Sequence, residues 1–269
     1  MNKLILVACI AITMCFACTK KENIDINQQN TGQVKLKFDL TVNNKKLFLQ
    51  QSNYSNNSNE NYTVDLVKFY ISNIKFISKE GKTYIVPKSD SFFLIDASNS
   101  LSLTPTLQIP QGEYNSLEFN LGVDSLTNTL PSEQRVGVLD IGINGMYWEW
   151  NSGYIHFKIE GKSPQSTIAN NIFKYHIGFY GGYNTPTVNN NRNIKIDLQS
   201  AGIAQVQNEL SSDIHLMVDL GKIFDGPNQI SIKNTPIVMT TGPHAKIADN
   251  YASMFTHDHT HNFQKIATK

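Results

Sequence analysis

Residues 145–161 read Gly-Met-Tyr-Trp-Glu-Trp-Asn-Ser-Gly-Tyr-Ile-His-Phe-Lys-Ile-Glu-Gly and contain both tryptophans of the chain, Trp148 and Trp150. The triplet at 151–153 is small and polar, and the last residues alternate between apolar and polar side chains. Bulky aromatics, a tight turn and an alternating segment are typical of a hairpin or loop that leads into a core strand. We therefore expect this segment, with His156 on its strand, to lie close to any functional site.

The same period of two recurs on both sides of that segment. At residues 34–40, apolar side chains alternate with lysines and an aspartate, which is the pattern of a half-buried strand. Short strands separated by Gly, Pro and Asn continue along the chain, and only residues 243–255 have helical spacing, opened by Pro243. We predict an all-β fold: a single antiparallel β-sandwich, immunoglobulin-like or related, with one short C-terminal helix.

The first seventeen residues resemble an export signal, with Lys3 before a short apolar core. The run Cys-Phe-Ala-Cys at 15–18 resembles the cleavage box of a bacterial lipoprotein, which predicts that Cys18 is acylated. An acylated cysteine anchors a protein to a membrane surface without crossing it. We expect a protein of the periplasm or cell surface that is lipid-anchored to the outer membrane.

The remaining chain divides simply. Residues 18–32 are polar and aperiodic and are predicted to form a tether, residues 33–263 a single domain, and residues 264–269 a tail. No apolar run after residue 17 approaches the roughly 20 residues that a membrane-spanning helix needs.

Charge and cysteine content exclude several functions. Of the 23 Lys and Arg residues only Lys3 lies in the signal, so 22 remain against 22 Asp and Glu, a balance that argues against nucleic-acid binding. All three cysteines lie in the first eighteen residues, which excludes thiol catalysis and thiolate metal sites from the domain. No nucleotide-binding, serine-hydrolase or metalloprotease motif occurs, and we expect no enzymatic activity.

The histidines carry the strongest chemical signal. His257, His259 and His261 alternate near the C-terminus, and in an extended segment they would share one face. Imidazoles bind copper, zinc and nickel, and without thiols the ligands must be nitrogen and oxygen. The alternative is a solvated tail that is merely rich in histidine.

The other four histidines lie within regular patterns. His156 and His176 fall in strand patterns, where each alone is more often a packing residue with a hydrogen bond than a ligand. His215 lies between apolar residues and is predicted to be structural. His244 lies near a helix start, where the helix dipole favours the neutral imidazole, which is also the ligand form. Trp148 and Trp150 are either core anchors or oxidisable groups beside a redox site.

Many ordered blocks of this sequence resemble the MbnP-like family, named after a periplasmic protein of methanobactin operons and widespread as lipoproteins in Bacteroidetes-type bacteria. They include Phe-Asn-Leu-Gly-Val-Asp at 119–124, Gly-Met-Tyr-Trp-Glu-Trp at 145–150, His-Ile-Gly at 176–178 and Asp-His-Thr-His-Asn at 258–262. Further blocks lie at 69–74, 94–96, 110–114, 139–140, 153–155, 158–161, 247–250 and 254–255.

The resemblance implies copper as a cofactor. The family is similar to copper-binding surface proteins of methanotrophs, in which imidazoles and an oxidised tryptophan form the site and a diheme cytochrome c peroxidase-like partner performs the oxidation. It implies His176, His259 and His261 as ligands, with His156 the weakest match. It also implies Trp148 or Trp150 as the modified residue.

Three hypotheses follow. The first is an exported, lipid-anchored copper-binding protein for copper handling. The second is a non-enzymatic electron donor or substrate of a diheme peroxidase-like partner through Trp148 or Trp150. The third is a metal-free adhesion or scaffold sandwich. The most informative observation is whether His176, or another strand histidine, comes within ligand reach of the C-terminal histidines, since ligating nitrogens lie about 3–4 Å apart.

Overall fold

The computed structural model describes residues 30–51, 53–149 and 153–266. Its strands are β1 (Thr31–Val42), β2 (Lys45–Lys46), β3 (Tyr54–Ser55), β4 (Asn61–Ser78), β5 (Thr83–Ile85), β6 (Phe93–Asp96), β7 (Thr106–Pro110), β8 (Gly112–Leu121), β9 (Tyr147–Trp148), β10 (Gly153–Tyr154), β11 (Phe157–Lys162), β12 (Ile172–Ile177), β13 (Arg192–Asp197), β14 (Ala204–Val206), β15 (Leu210–Asp219), β16 (Ile237–Val238) and β17 (Phe255–Lys265). Its α-helices are α1 (Ser125–Asn128), α2 (Lys222–Asp225) and α3 (His244–Tyr251).

The strands form two large sheets and one small hairpin. The smaller of the two large sheets has the order β17-β15-β1-β2, with β7 also paired to β1. The larger has the order β13-β8-β4-β11-β12-β16, with β14 added at β8 and β3, β5 and β6 at β4. The described part of the chain is mostly β-strand with three short α-helices, which fits the predicted all-β class. Within the described ranges, no helix has both the length and the apolar character that crossing a bilayer requires.

The prediction of a single, wholly antiparallel sandwich is not confirmed. β1 runs parallel to β15, and β12 runs parallel to β16, so both large sheets are mixed. Parallel neighbours need a long crossover connection, and more than 160 residues separate β1 from β15. Such a pairing leaves no trace in the local alternation from which the strands were predicted.

The predicted C-terminal helix is shorter than expected, and two further helices are present. α3 ends at Tyr251, and the chain enters β17 at Phe255, the last residue of the predicted helix. β17 continues to Lys265, inside the predicted tail, because it pairs along its length with β15. α1 and α2 have only four residues each, too few to show a helical period in the sequence.

In the described parts of 145–161, the chain forms two short paired strands and then a core strand, as the sequence predicts. β9 pairs with β10, with Gly153 opposite Trp148, and β11 lies in the larger sheet between β4 and β12. A buried cluster separate from the main core surrounds these short strands and includes Tyr70, Met146 and Tyr154. The aromatic segment therefore covers a satellite core beside the main one.

Aromatic side chains join the two large sheets. Phe38 of β1 makes edge-to-face contacts with Phe69 and Phe119 of the larger sheet, at ring-centroid distances of 6.1 Å and 6.3 Å. The same ring meets Phe255 at 6.4 Å. Edge-to-face pairs of this kind stabilise a core beyond the area they bury. Phe38 thus holds the smaller sheet, and with it β15 and β17, against the rest of the domain.

This contact predicts a large loss of stability on truncation. Phe38→Ala should lower the free energy of unfolding by about 3–5 kcal/mol in urea denaturation, because the ring is 1% exposed. Phe48→Ala is the matched control: that ring is 48% exposed, and its loss should cost less than about 1 kcal/mol. Equal losses for the two variants would contradict the assigned packing of the sheets.

Candidate metal centre on the smaller sheet

Three histidines converge on the outer face of the smaller sheet, and we call them the histidine triad. His215 of β15 is paired in register with His259 of β17, and their rings stack with centroids 4.1 Å apart. The ring of His261 lies 4.5 Å from that of His259 and 5.3 Å from that of His215. One ring nitrogen from each histidine lies within 4.8 Å of the other two.

The local sequence explains why these side chains face outward together. In β15, Ile214, Leu216 and Val218 are fully buried, so His215 between them points to the opposite face. In β17, the register shifts opposite His215 and Leu216, where two residues of β15 face three of β17. β-bulges of this kind commonly re-aim side chains next to functional sites.

Carboxylates and burial control the electrostatics of the triad. Nδ1 of His215 lies 3.2 Å from Oδ2 of Asp39, and Nδ1 of His259 lies 2.8 Å from Oδ2 of Asp258. Burial, aided by the charge of Lys37, lowers the pKa of His215, although Asp39 acts in the opposite direction. His215 is therefore a neutral imidazole at neutral pH, which is the form that binds metals.

The triad fits a late first-row metal ion. Imidazole–metal bonds of about 2 Å hold the nitrogens about 3–4 Å apart, and Nε2 of His259 already lies 3.0 Å from Nε2 of His261. A set of imidazoles without thiolates suits copper, zinc or nickel. Among the described residues, the triad is the group of three or more potential metal ligands whose ligand atoms lie close together.

His257 lies outside the triad and has a hydrogen-bond partner of its own. Its Nε2 lies 2.9 Å from Oγ1 of Thr260, and burial lowers its pKa. The predicted common face therefore holds for His259 and His261, while the bulge separates His257 from them.

His176, the first predicted ligand, lies on β12 in the other large sheet. Its Nε2 is 2.8 Å from Oε1 of Glu160, and the same carboxylate accepts ion pairs from Lys174 at 3.4 Å and Lys158 at 3.8 Å. Burial is the largest effect on His176 and lowers its pKa, against the opposing carboxylate. The structure does not bring His176 into the triad, because the two sheets hold it apart from β17.

His156, the fourth predicted ligand, is fully buried in the domain and also lies outside the triad. Burial lowers its pKa to about 3, against an opposing effect of the Asn190 backbone. Neither ring nitrogen has a hydrogen-bond partner of good geometry. Gly122 must be a glycine beside it. A Cβ there would lie 2.3 Å from Oδ1 of Asn191 and 2.8 Å from Cγ of His156.

Trp148 is 6% exposed and packs in a group of rings that also contains Phe179 and His244. Its ring centroid is 5.9 Å from that of Phe179, which in turn lies 5.1 Å from the ring of His244. Phe179 has a φ of 74°, a conformation uncommon for a residue other than glycine and often found near functional sites. Burial lowers the pKa of His244. Trp150 and Cys18, predicted to be modified and acylated, lie outside the described residues.

Sequence reasoning missed His215, which was predicted to be structural. The alternation in β15 does contain a signal, because the partly exposed Asp213, His215 and Met217 alternate with the buried apolar residues Ile214, Leu216 and Val218. That alternation places His215 on the solvent side of a strand. The pairing of β15 with β17, which brings it to His259, has no signal in the local sequence.

The fold and the surface triad together describe a mostly-β protein with a candidate histidine metal site. The family model MbnP matches residues 31–240, and the chain therefore belongs to the MbnP family. This confirms the family resemblance seen in the sequence. The matched segment ends before α3 and β17, so it includes His215 but not His259 or His261.

A solved structure supports the fold. MbnP from Methylosinus trichosporium superposes with a TM-score of 0.53 at 17% sequence identity, covering 80% of this chain and 82% of that one. At this identity the likeness is one of fold. No curated protein matches the sequence.

The buried His156 predicts a specific dependence of stability on pH. The neutral ring is favoured in the folded state, so stability is fully present above the ordinary pKa of 6.5 and declines as pH falls towards about 3. Between pH 7.5 and pH 5, His156 should account for a loss of about 2 kcal/mol in the free energy of unfolding. His156→Gln should flatten the urea-derived pH profile by that amount, and parallel profiles for the two proteins would refute the assignment.

Proposed function

We propose that this protein is an exported copper-binding protein that handles copper at a membrane surface, and that it binds the metal through His215, His259 and His261. The supporting observation is the convergence of three imidazoles from two paired strands, with one nitrogen of each within 4.8 Å of the others. A copper ion bound there would be accessible for uptake and transfer, since the exposure of His261 leaves the site open to solvent.

The chemistry of the site favours copper among the metals that imidazoles bind. Copper(II) forms the strongest complexes of the divalent first-row series with nitrogen ligands. Met217 lies two residues from His215 on the same outward face of β15, and its soft thioether is a ligand type that copper(I) prefers. The family resemblance points to the same metal.

Membrane attachment is proposed to run through acylated Cys18. β1 begins at Thr31, so about a dozen residues separate that cysteine from the domain. A chain of this length spans at most roughly 40 Å, which sets the greatest distance between the lipid surface and the start of the domain. The protein would bind and pass on copper there without catalysing a reaction.

Copper retention and mutation test this function. The wild-type domain should retain one equivalent of copper in equilibrium dialysis at micromolar free metal. His215→Ala, His259→Ala and His261→Ala should each weaken binding at least as much as the 10–100-fold typical for loss of supporting groups around a metal.

Two other histidines supply matched controls. His257 lies on the same strand as two triad members, but its Nε2 contacts Thr260, and His176 lies in the other large sheet. The control variants are therefore His257→Ala and His176→Ala. Both should bind copper as the wild type does. Failure of the wild type to retain copper, or an equal loss in the His257→Ala protein, would refute the proposed site.

A second candidate function uses the aromatic group around Trp148. We propose as the alternative that Trp148 or Trp150 donates electrons to, or is oxidised by, a diheme cytochrome c peroxidase-like partner. The supporting observation is that the ring of Phe179 contacts those of both Trp148 and His244, and that the backbone of Phe179 is in a conformation uncommon for its residue type. The third possibility, a metal-free adhesion or scaffold role, would stand if neither site showed activity.

Mass spectrometry separates this alternative from copper binding alone. Co-expression with such a partner should yield an oxidised tryptophan in the peptide containing Trp148 and Trp150, and the Trp148→Phe variant should show which ring reacts. Unmodified tryptophans in cells that produce an active partner would count against it. Copper retention by the triad would be unaffected by that result.

A further inference from the structure

We propose that Asp39 and Asp258 are positioning residues of the histidine triad, which hold His215 and His259 as Nδ1–H tautomers so that both present Nε2 to the metal. This inference rests on the proposed function for its purpose, but the tautomers themselves belong to the metal-free protein. Neither aspartate belongs to the triad.

The hydrogen bonds define where the ring protons lie. A carboxylate can only accept hydrogen bonds, so the nitrogen beside it must carry the proton. Nδ1 of His215 lies 3.2 Å from Asp39, and Nδ1 of His259 lies 2.8 Å from Asp258. In a neutral ring, the lone pair is then on Nε2, which becomes the ligand atom.

The tautomer of His261 follows from that of His259. Nε2 of His259 lies 3.0 Å from Nε2 of His261, and because His259 offers a lone pair there, His261 must donate its Nε2–H. A metal ion would take the place of that proton. The ring of His261 would then carry its single proton on Nδ1, so that ligation changes the tautomer while the ring stays neutral.

The two aspartates come from different parts of the fold. Asp39 lies on β1, on the strand neighbouring β15, and its other oxygen, Oδ1, lies 3.9 Å from Nζ of Lys37. Asp258 is adjacent to His259 at the bulge of β17. Carboxylates that hold a metal-ligating imidazole in this way orient the ring and raise its basicity.

Burial makes the two supports unequal. The side chains of Asp39 and His215 are 37% and 12% exposed, whereas those of Asp258 and His259 are 49% and 40% exposed. Hydrogen bonds to charged groups are stronger where solvent competes less. We therefore expect Asp39 to contribute more to the site than Asp258.

Nitrogen NMR of the metal-free protein tests the tautomers directly. Long-range ¹H–¹⁵N correlation at pH 8 should show His215 and His259 as Nδ1–H tautomers and His261 as the Nε2–H tautomer. Addition of Zn(II), a diamagnetic probe, should convert His261 to the Nδ1–H form. Asp39→Ala should release His215 to a mixture of tautomers, while Asp39→Asn, which retains an acceptor oxygen, should preserve the Nδ1–H form.

Zn(II) and Cu(II) affinities measured by competition supply the second readout. Asp39→Ala should weaken binding about 10–100-fold and Asp258→Ala by less, as expected for groups that support ligands. Asp213→Ala is the matched control. It removes an equal charge from the same face, but its carboxylate contacts Ser211 and Lys35 and makes no hydrogen bond to a triad ring. Its effect should stay within about threefold, because its carboxylate is already paired with Lys35 and contacts no triad ring.

The outcomes separate this inference from the proposed function. An Nε2–H tautomer at His215 and His259 in the wild type, or an equal loss of affinity for Asp213→Ala and Asp39→Ala, would overturn the positioning role and leave copper binding standing. A wild-type protein that binds neither Zn(II) nor Cu(II) would overturn the proposed function, while the NMR result would still decide the tautomers.

Discussion

The site depends on the alternation of buried and outward-facing residues along β15, which lies between β1 and β17. Its apolar residues Ile214, Leu216 and Val218 are buried against the core, and this leaves no choice about the face on which His215 lies. β1 fixes the strand on one side through a parallel register, and β17 fixes it on the other. The triad is therefore assembled by the same burial that stabilises the domain, and a slip of one residue would turn His215 inward.

His156 and His176 show how burial acts on histidines that lie outside the triad. His156 is enclosed in the domain, where its pKa of about 3 keeps it uncharged. His176 is nearly as buried, but it is tied to Glu160 within a group of charges that includes Lys158 and Lys174. In both positions the surroundings favour a neutral ring that supports the fold. On the smaller sheet, by contrast, the rings meet one another at a surface open to solvent.

The parts of the structure that could be predicted from the sequence are those set by local periodicity. Alternation revealed the strands and the hairpin at 145–161, and it placed His259 and His261 on one face. His215 was missed because its partner strand is some forty residues further along the chain, and pairing over that distance leaves no local pattern. The same reason explains the parallel β1–β15 pair. His176 and His156 were expected to be metal ligands because of the family resemblance. A resemblance in sequence does not specify how the sheets are arranged around the triad.

Copper binding by the triad can be tested in crystals of the copper-loaded domain, by anomalous scattering measured on both sides of the copper absorption edge. We expect a single copper peak within about 2 Å of one ring nitrogen from each of His215, His259 and His261. A copper peak beside His176, or in the aromatic group of Trp148 and His244, with none at the triad, would contradict it.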